Sequence, residues 1–269
     1  MLQRVKETTA YIQSKVSVVP DVGIILGTGL GGLVRDIKNQ QVLNYADIPN
    51  FPVSTVEGHK GHLIFGELGG KKVVAMQGRF HFYEGYDMKQ VTFPVRVLKY
   101  LGVKHLFVSN ASGGVNPDFE IGDLMIINDH INLLPNPLIG PNDNNFGPRF
   151  PDMSQAYDRK LIALAQAIAK KKGVETKLGC YVGTTGPTFE TPKEYQYFRI
   201  IGGDAVGMST VPEVIVARQM GLPVFAISII TDLGVPGKIV EVTHAEVQRI
   251  GQQAEQKMTM IMEEMLQQL

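Results

Sequence analysis

Short aliphatic runs recur along the whole 269-residue chain, each too brief for a bundle helix and most closed by glycine, a polar side chain or a charge. They are GIIL at 23–26, HLIFGEL at 62–68, KKVVAMQ at 71–77, HLFVSN at 105–110, DLMIIND at 123–129, CYVGTT at 180–185, DAVGM at 204–208 and PVFAISIIT at 223–231. Uninterrupted apolar runs of this length suit strands buried on both faces, and their polar ends suit loops that carry function. Helix-period segments lie between several of them, which makes the class α/β. The sheet is expected to be mixed, because Gly69-Gly70 joins the second and third runs as a hairpin.

At the N-terminus Leu2, Val5, Ile12 and Val16 share one helix face. A second helix is expected after Ser154, with Leu161, Leu164, Ala165 and Ile168 on one face and a stop at Gly173. Three capping boxes follow: Thr191 with Glu194 (and Pro192 between them), Thr210 with Glu213, and Thr243 with Glu246. The last opens a C-terminal helix whose Val247, Ile250, Ala254, Met258, Ile261 and Met265 form a core-packing stripe.

No linker, charge block or low-complexity tract divides residues 1–269, which therefore read as one domain. Lysine and arginine (26) balance aspartate and glutamate (26), so the sustained positive field that nucleic acid or an anionic membrane requires is missing. The lone Cys180 makes neither an internal disulfide nor a metal-ligand set, and the N-terminus has no signal-like apolar stretch. The expectation is a cytoplasmic protein that binds a small molecule.

In GIILGTGLGG, Gly27, Gly29 and Gly32 satisfy GxGxxG, the opening of many dinucleotide sites. That reading needs an acidic strand end about 20 residues on. Asp47 has the distance but lies in YADIPNFPVST, where two prolines argue for a loop. What survives is a turn whose backbone N–H groups and Thr28 hydroxyl favour an anion. A second polar cluster is GRFHFYEGY at 78–86: an extended segment would place Arg79, His81 and Tyr83 on one side and Phe80 and Phe82 on the other. His59 and His62 in GHKGH have no carboxylate pattern around them, so no metal site is expected.

Taken together, GTGLGGL, IPNFP with the GH at 58–59, GRFHFYEGY, VTFPVRVLKYLGV, NASGGVNPDFEIGD, DHINL, GPNDNNFGPRFPDMSQAYD, GPTFETP and DAVGMSTVPEVIVAR resemble the trimeric purine nucleoside phosphorylases. These stretches run in order over most of the chain. The resemblance implies a twisted mixed sheet partly closed into a barrel and flanked by helices. It also implies phosphorolysis of purine (deoxy)ribonucleosides, with inorganic phosphate as co-substrate and no metal or organic cofactor. Carried over residue by residue, it puts Thr28, His59, Arg79, His81, Ser209 and the N–H of Ala111 at phosphate. Tyr83, Met208 and His244 fall at ribose, and Ala111, Phe189, Glu190 and Asp232 at the purine. His81, Glu190 and Asp232 become the catalytic candidates, and Phe150 the aromatic residue lent by a neighbouring subunit of a homotrimer.

The chain departs from that pattern at Asp232, where members selective for 6-oxopurines typically carry asparagine. An amide donates and accepts, whereas a carboxylate only accepts, which suits a 6-amino group or a base protonated at N7. Glu190, an acceptor for N1–H, favours hypoxanthine and guanine instead. Inosine and guanosine are therefore the expected substrates, with adenosine or methylthioadenosine phosphorolysis as the alternative. Asp232 as a plain strand-end cap remains open. A dinucleotide-dependent oxidoreductase and a non-catalytic nucleoside-binding protein are the rivals from other classes.

Overall fold

The computed structural model describes residues 1–56 and 58–269. Its strands are β1 (Val22–Leu26), β2 (Lys38–Asn44), β3 (His62–Leu68), β4 (Lys71–Gln77), β5 (His105–Gly114), β6 (Leu124–Asn132), β7 (Lys177–Gly183), β8 (Ala205–Gly207) and β9 (Val224–Leu233). All but β2 overlap an expected run. β2 reads KNQQVLN, mostly polar and exposed, because it is an edge strand paired only with β3.

Among the described residues these strands form one sheet in the order β2-β3-β4-β1-β5-β8-β7-β6-β9, and β9 also pairs with β5. That last pairing closes β5, β8, β7, β6 and β9 into a barrel. The sheet is mixed: β3 and β4 are antiparallel with Leu68 opposite Lys71, across the turn expected at Gly69-Gly70. Both glycines have positive φ (57° and 74°), the requirement of a type I′ hairpin.

Helices α1 (Leu2–Lys15), α2 (Met88–Val91), α3 (Phe93–Tyr100), α4 (Arg159–Lys171), α5 (Pro192–Ile200), α6 (Val211–Gln219) and α7 (His244–Gln268) flank the sheet. Alternate strand residues divide the core in two. Ile25, Val74, Met76, Leu106 and Val108 pack with α1, α3 and α6, while Ile24, Val73, Ala75 and Phe107 pack with α4 and α7. The expected α7 stripe is buried from Ile250 onward; Val247 is half-buried and turns toward the cavity described below.

The helix starts refine the expectation at α4 and depart from it at α6. α4 is capped by Asp158, which accepts from the N–H groups of Lys160 and Leu161, so Ser154 lies outside it. Thr210 precedes α6 without capping it, for its hydroxyl and Glu213 are both engaged elsewhere. The Thr191 box on α5 forms in full, and Thr243 accepts from Glu246 N–H on α7. Asp47 sits in a 3-10 turn bonded to Asn44, as a loop residue and not a strand end.

Strands β1, β4, β5 and β9 are linked by parallel pairings, so their carboxyl ends emerge on one side of the sheet. Crevices at such ends are where open α/β sheets bind ligands.

Candidate active site

A cavity opens at those carboxyl ends. β1 leads to Thr28, β4 to Arg79, β5 supplies Asn110 to Gly113, and β9 supplies Thr231 and Asp232. Tyr83, Phe189, Glu190, Met208, Ser209, and His244 and Val247 from the first turn of α7 also line the wall. Eleven of the residues expected from sequence thus meet in one place: Thr28, Arg79, His81, Tyr83, Ala111, Phe189, Glu190, Met208, Ser209, Asp232 and His244. His59 stands one layer back, its Nε2 3.2 Å from the Thr28 hydroxyl and its ring stacked on His81 at 5.4 Å. Phe150 is not in the wall; it is 87 % exposed, beside an apolar groove containing Leu138, Ile139 and Met153.

The glycine turn works differently from its sequence reading. Gly27 lets the chain pass β5 closely, since a Cβ there would lie 2.8 Å from the Ser109 carbonyl and 2.9 Å from Asn110 Cα. The N–H of Gly32, however, donates to the carboxylate of Glu255 on α7. One of the turn's donors is therefore occupied from within the protein, and Thr28 is what the turn presents to the cavity.

Arg79 is almost wholly buried. Its Nε and Nη2 each donate to Glu213 at 3.1 Å, and Nη1 donates to the Ser109 carbonyl at 2.8 Å and the Ser209 hydroxyl at 3.2 Å. Ser209 is held in turn by an uncommon backbone. Thr210, a β-branched residue, has φ 66° and ψ −56°, and Val211 N–H reaches back to the Ser209 carbonyl at 2.7 Å. That is a γ-turn of the strained kind, which persists only where its surroundings over-determine it. Here Asn110 Nδ2 donates to the Thr210 hydroxyl at 2.8 Å and accepts through Oδ1 from Ser228.

The expected alternation of Arg79, His81 and Tyr83 ends early: the chain is extended to His81 and then makes a 3-10 turn over Phe82–Glu84. Tyr83 still reaches the wall because its ring stacks on His81 at 4.7 Å, while Phe80 is buried among Tyr45, Phe51 and Tyr86. Glu84 accepts from the His81 N–H and lies 3.2 Å from its Nδ1. Hydrogen bonds from His81 and Thr55 overcome burial and hold this carboxyl down at about 2. An ionised Glu84 puts the proton of His81 on Nδ1. Burial lowers the pKa of His81 and, with the charge of Arg79, pushes His59 down to about 3, so both rings are neutral near pH 7.

At the other end of the wall two carboxyls meet a tyrosine. Burial, reinforced by Asp232, pushes Glu190 up to about 7. Asp232, 7 % exposed, is also raised by burial, against hydrogen bonds that oppose the shift. Its Oδ2 accepts from Tyr195 and its Oδ1 from Thr231, each at 3.1 Å. Tyr195, Glu213, Thr231 and Asn110 are among the site residues that sequence reasoning misses. Tyr195 sits at a core-like position of α5, and its partner is 37 residues away.

The geometry agrees with what the chain is similar to. The phosphorylase superfamily matches residues 21–267. Purine nucleoside phosphorylase 1 of Bacillus subtilis is 57 % identical over 233 residues, 86 % of each chain. Schistosoma mansoni purine nucleoside phosphorylase in complex with adenosine superposes with a TM-score of 0.95 at 45 % identity, covering 99 % of this chain and 97 % of that one. Its complex with inosine gives 0.94 at 44 %, covering 99 % and 96 %. A wall with a buried arginine at one end and paired carboxyls at the other is thus set on a matching fold and a majority-identical sequence: the chain belongs to the phosphorylase superfamily and, within it, to the purine nucleoside phosphorylases, which are pentosyltransferases.

Proposed function

We propose that the substrates are inosine and guanosine, cleaved by inorganic phosphate with no metal or organic cofactor. In this reaction the bond from C1′ to purine N9 breaks and a phosphate oxygen bonds to C1′. The base takes the electron pair and a proton, leaving ribose 1-phosphate. Positive charge develops on the sugar and negative charge on the base, so stabilising groups are needed at both ends. The observation that carries the reading is one cavity holding Arg79, Thr28 and Ser209 on one part of its wall and Glu190 with Asp232 on another.

Phosphate lies against the Arg79 guanidinium, the hydroxyls of Thr28 and Ser209 and the N–H of Ala111, with His59 behind Thr28. His81, neutral and committed through Nδ1–H to Glu84, accepts through Nε2 from a phosphate hydroxyl. Fixing the nucleophile in place converts a bimolecular step into a local one. Tyr83, Met208 and His244 take the ribose, and Phe189 packs on the purine. Glu190, ionised above about pH 7, accepts from N1–H of a 6-oxopurine. A homotrimer, in which the exposed Phe150 of one copy reaches the site of the next, completes the ribose pocket. One domain in a reducing, cytoplasmic setting suits the lone cysteine; among the described residues no helix is long and apolar enough to cross a membrane.

The second reading, acceptance of 6-aminopurines, rests on Asp232. With Tyr195 and Thr231 donating to it, this carboxyl is built to accept from the ligand. The fold neighbour seen with both adenosine and inosine supports keeping both. The test is a side-by-side measurement of kcat/KM for inosine, guanosine, adenosine and methylthioadenosine with phosphate. The proposal expects the two 6-oxopurines to lead, and a clear lead for methylthioadenosine overturns it.

A further inference from the structure

The hydroxyl of Tyr195 reaches one carboxyl of the purine end, Asp232, from behind the cavity wall. It donates to Oδ2 of Asp232 at 3.1 Å. A phenol has a single proton, so this bond commits it to Asp232. The Thr231 hydroxyl lies 3.1 Å from the other Asp232 oxygen and shares its proton between that oxygen and the Ser112 carbonyl at 3.3 Å. Tyr195 belongs to a small apolar cluster with Val115, Val182, Phe198 and Val206, and its ring fits against Gly234, where a Cβ would lie 2.2 Å from it. The ring is thus fixed by packing, and the hydroxyl is aimed by the ring.

We propose that Tyr195 is a positioning residue that sets the choice between 6-amino and 6-oxo purines, by directing a donor at Asp232 and so keeping that carboxyl an acceptor toward the base. This deepens the purine nucleoside reading and rests on it. The hydrogen bonds from Tyr195 and Thr231 favour the ionised form of Asp232 against its burial. An ionised Asp232 accepts from a 6-amino group and repels a 6-oxo oxygen; a protonated one donates to that oxygen. Removing the Tyr195 hydroxyl leaves burial less opposed, moves Asp232 toward its protonated form and shifts the enzyme toward 6-oxopurines. Tyr195 does this without being part of the cavity wall.

The experiment measures kcat/KM for adenosine and for inosine, both with phosphate, in the parent, Tyr195→Phe, Asp232→Asn and the double variant. Phenylalanine keeps the packed ring, and thermal unfolding reports whether it does so. The adenosine-to-inosine ratio is expected to fall about tenfold in Tyr195→Phe, the effect of one hydrogen bond to a charged group. Asparagine at 232 has no charge to lose, so adding Tyr195→Phe to it is expected to leave the ratio unchanged. A ratio that moves less than about twofold in Tyr195→Phe, or that falls equally in the asparagine background, overturns the proposal. Should Tyr195→Phe not fold, Thr231→Val removes the other donor from Asp232 and is expected to lower the ratio in the same direction; an unmoved ratio there overturns the proposal. Failure of the parent to cleave either nucleoside instead overturns the reading on which the proposal stands.

Discussion

Arg79 and Glu213 face each other fork to fork, with both Nε and Nη2 at 3.1 Å from carboxylate oxygens and the two side chains 1 % and 4 % exposed. Pairing at this depth, with Nη1 donating to Ser109 and Ser209, fixes the plane of the guanidinium at the cavity wall before any ligand arrives. It also neutralises most of the arginine's charge, so a phosphate here is oriented by directed donors more than drawn in by net charge.

Removing one member of a buried pair strands the other. Glu213→Ala is expected to lower unfolding stability by about 3–5 kcal/mol, read as a shift of the urea midpoint, and to raise KM for phosphate more than KM for inosine. Equal effects on the two KM values would detach Glu213 from the phosphate end.

Glu190 gives a pH signature of defined sign. Its carboxyl is held up at about 7 in the folded protein, against an ordinary value of 4.5. The folded state therefore keeps a proton that the unfolded chain releases, and stability contributed below pH 4.5 is lost as pH rises through 7. Glu190→Gln removes that loss. At about pH 8 the variant is expected to be more stable than the parent by roughly 1–3 kcal/mol, with inosine turnover down about 100-fold. At pH 4.5, the ordinary value of the carboxyl, the two should unfold alike.

Asp232→Asn replaces an acceptor-only group by one that also donates. The ratio of adenosine to inosine kcat/KM is expected to fall about tenfold or more. An unchanged ratio would return Asp232 to the role of a strand-end cap, hydrogen-bonded to Tyr195 and Thr231 but silent toward the base.

Phe150 is expected to act in trans. Light scattering should give the mass of three chains. Phe150→Ala should raise KM for inosine about tenfold while leaving phosphate KM and the unfolding midpoint near the parent values, the cost of taking a large aromatic ring away from the edge of a binding site. A monomer with full activity would contradict both statements.

Much of the fold is legible in the sequence because burial on both faces writes strands as continuous aliphatic runs, and eight of these form β1 and β3 to β9. β2 escapes for the opposite reason: an edge strand needs little apolar surface, and KNQQVLN carries little. Candidate site residues are legible where their chemistry is unusual in context, as with Arg79 and His81 beside a glycine turn. Glu213 reads locally as half of a capping box, since nothing nearby tells that its partner is 134 residues away. Tyr195 is unreadable on the same ground, for a tyrosine one turn into a helix looks like core until β9 brings Asp232 to its hydroxyl. The start of α4 is fixed by Asp158, four residues beyond the Ser154 that precedes the run, because the apolar period does not mark where the first turn begins.

The most direct measurement follows base release from inosine by the purified protein in buffer freed of phosphate and then with phosphate added back, with ribose 1-phosphate assayed alongside. The account predicts negligible release without phosphate, and one ribose 1-phosphate formed for each hypoxanthine when phosphate is present. Equal release in both buffers, with free ribose as the sugar product, would contradict it, because water and not an anion held by Arg79 would then be the nucleophile.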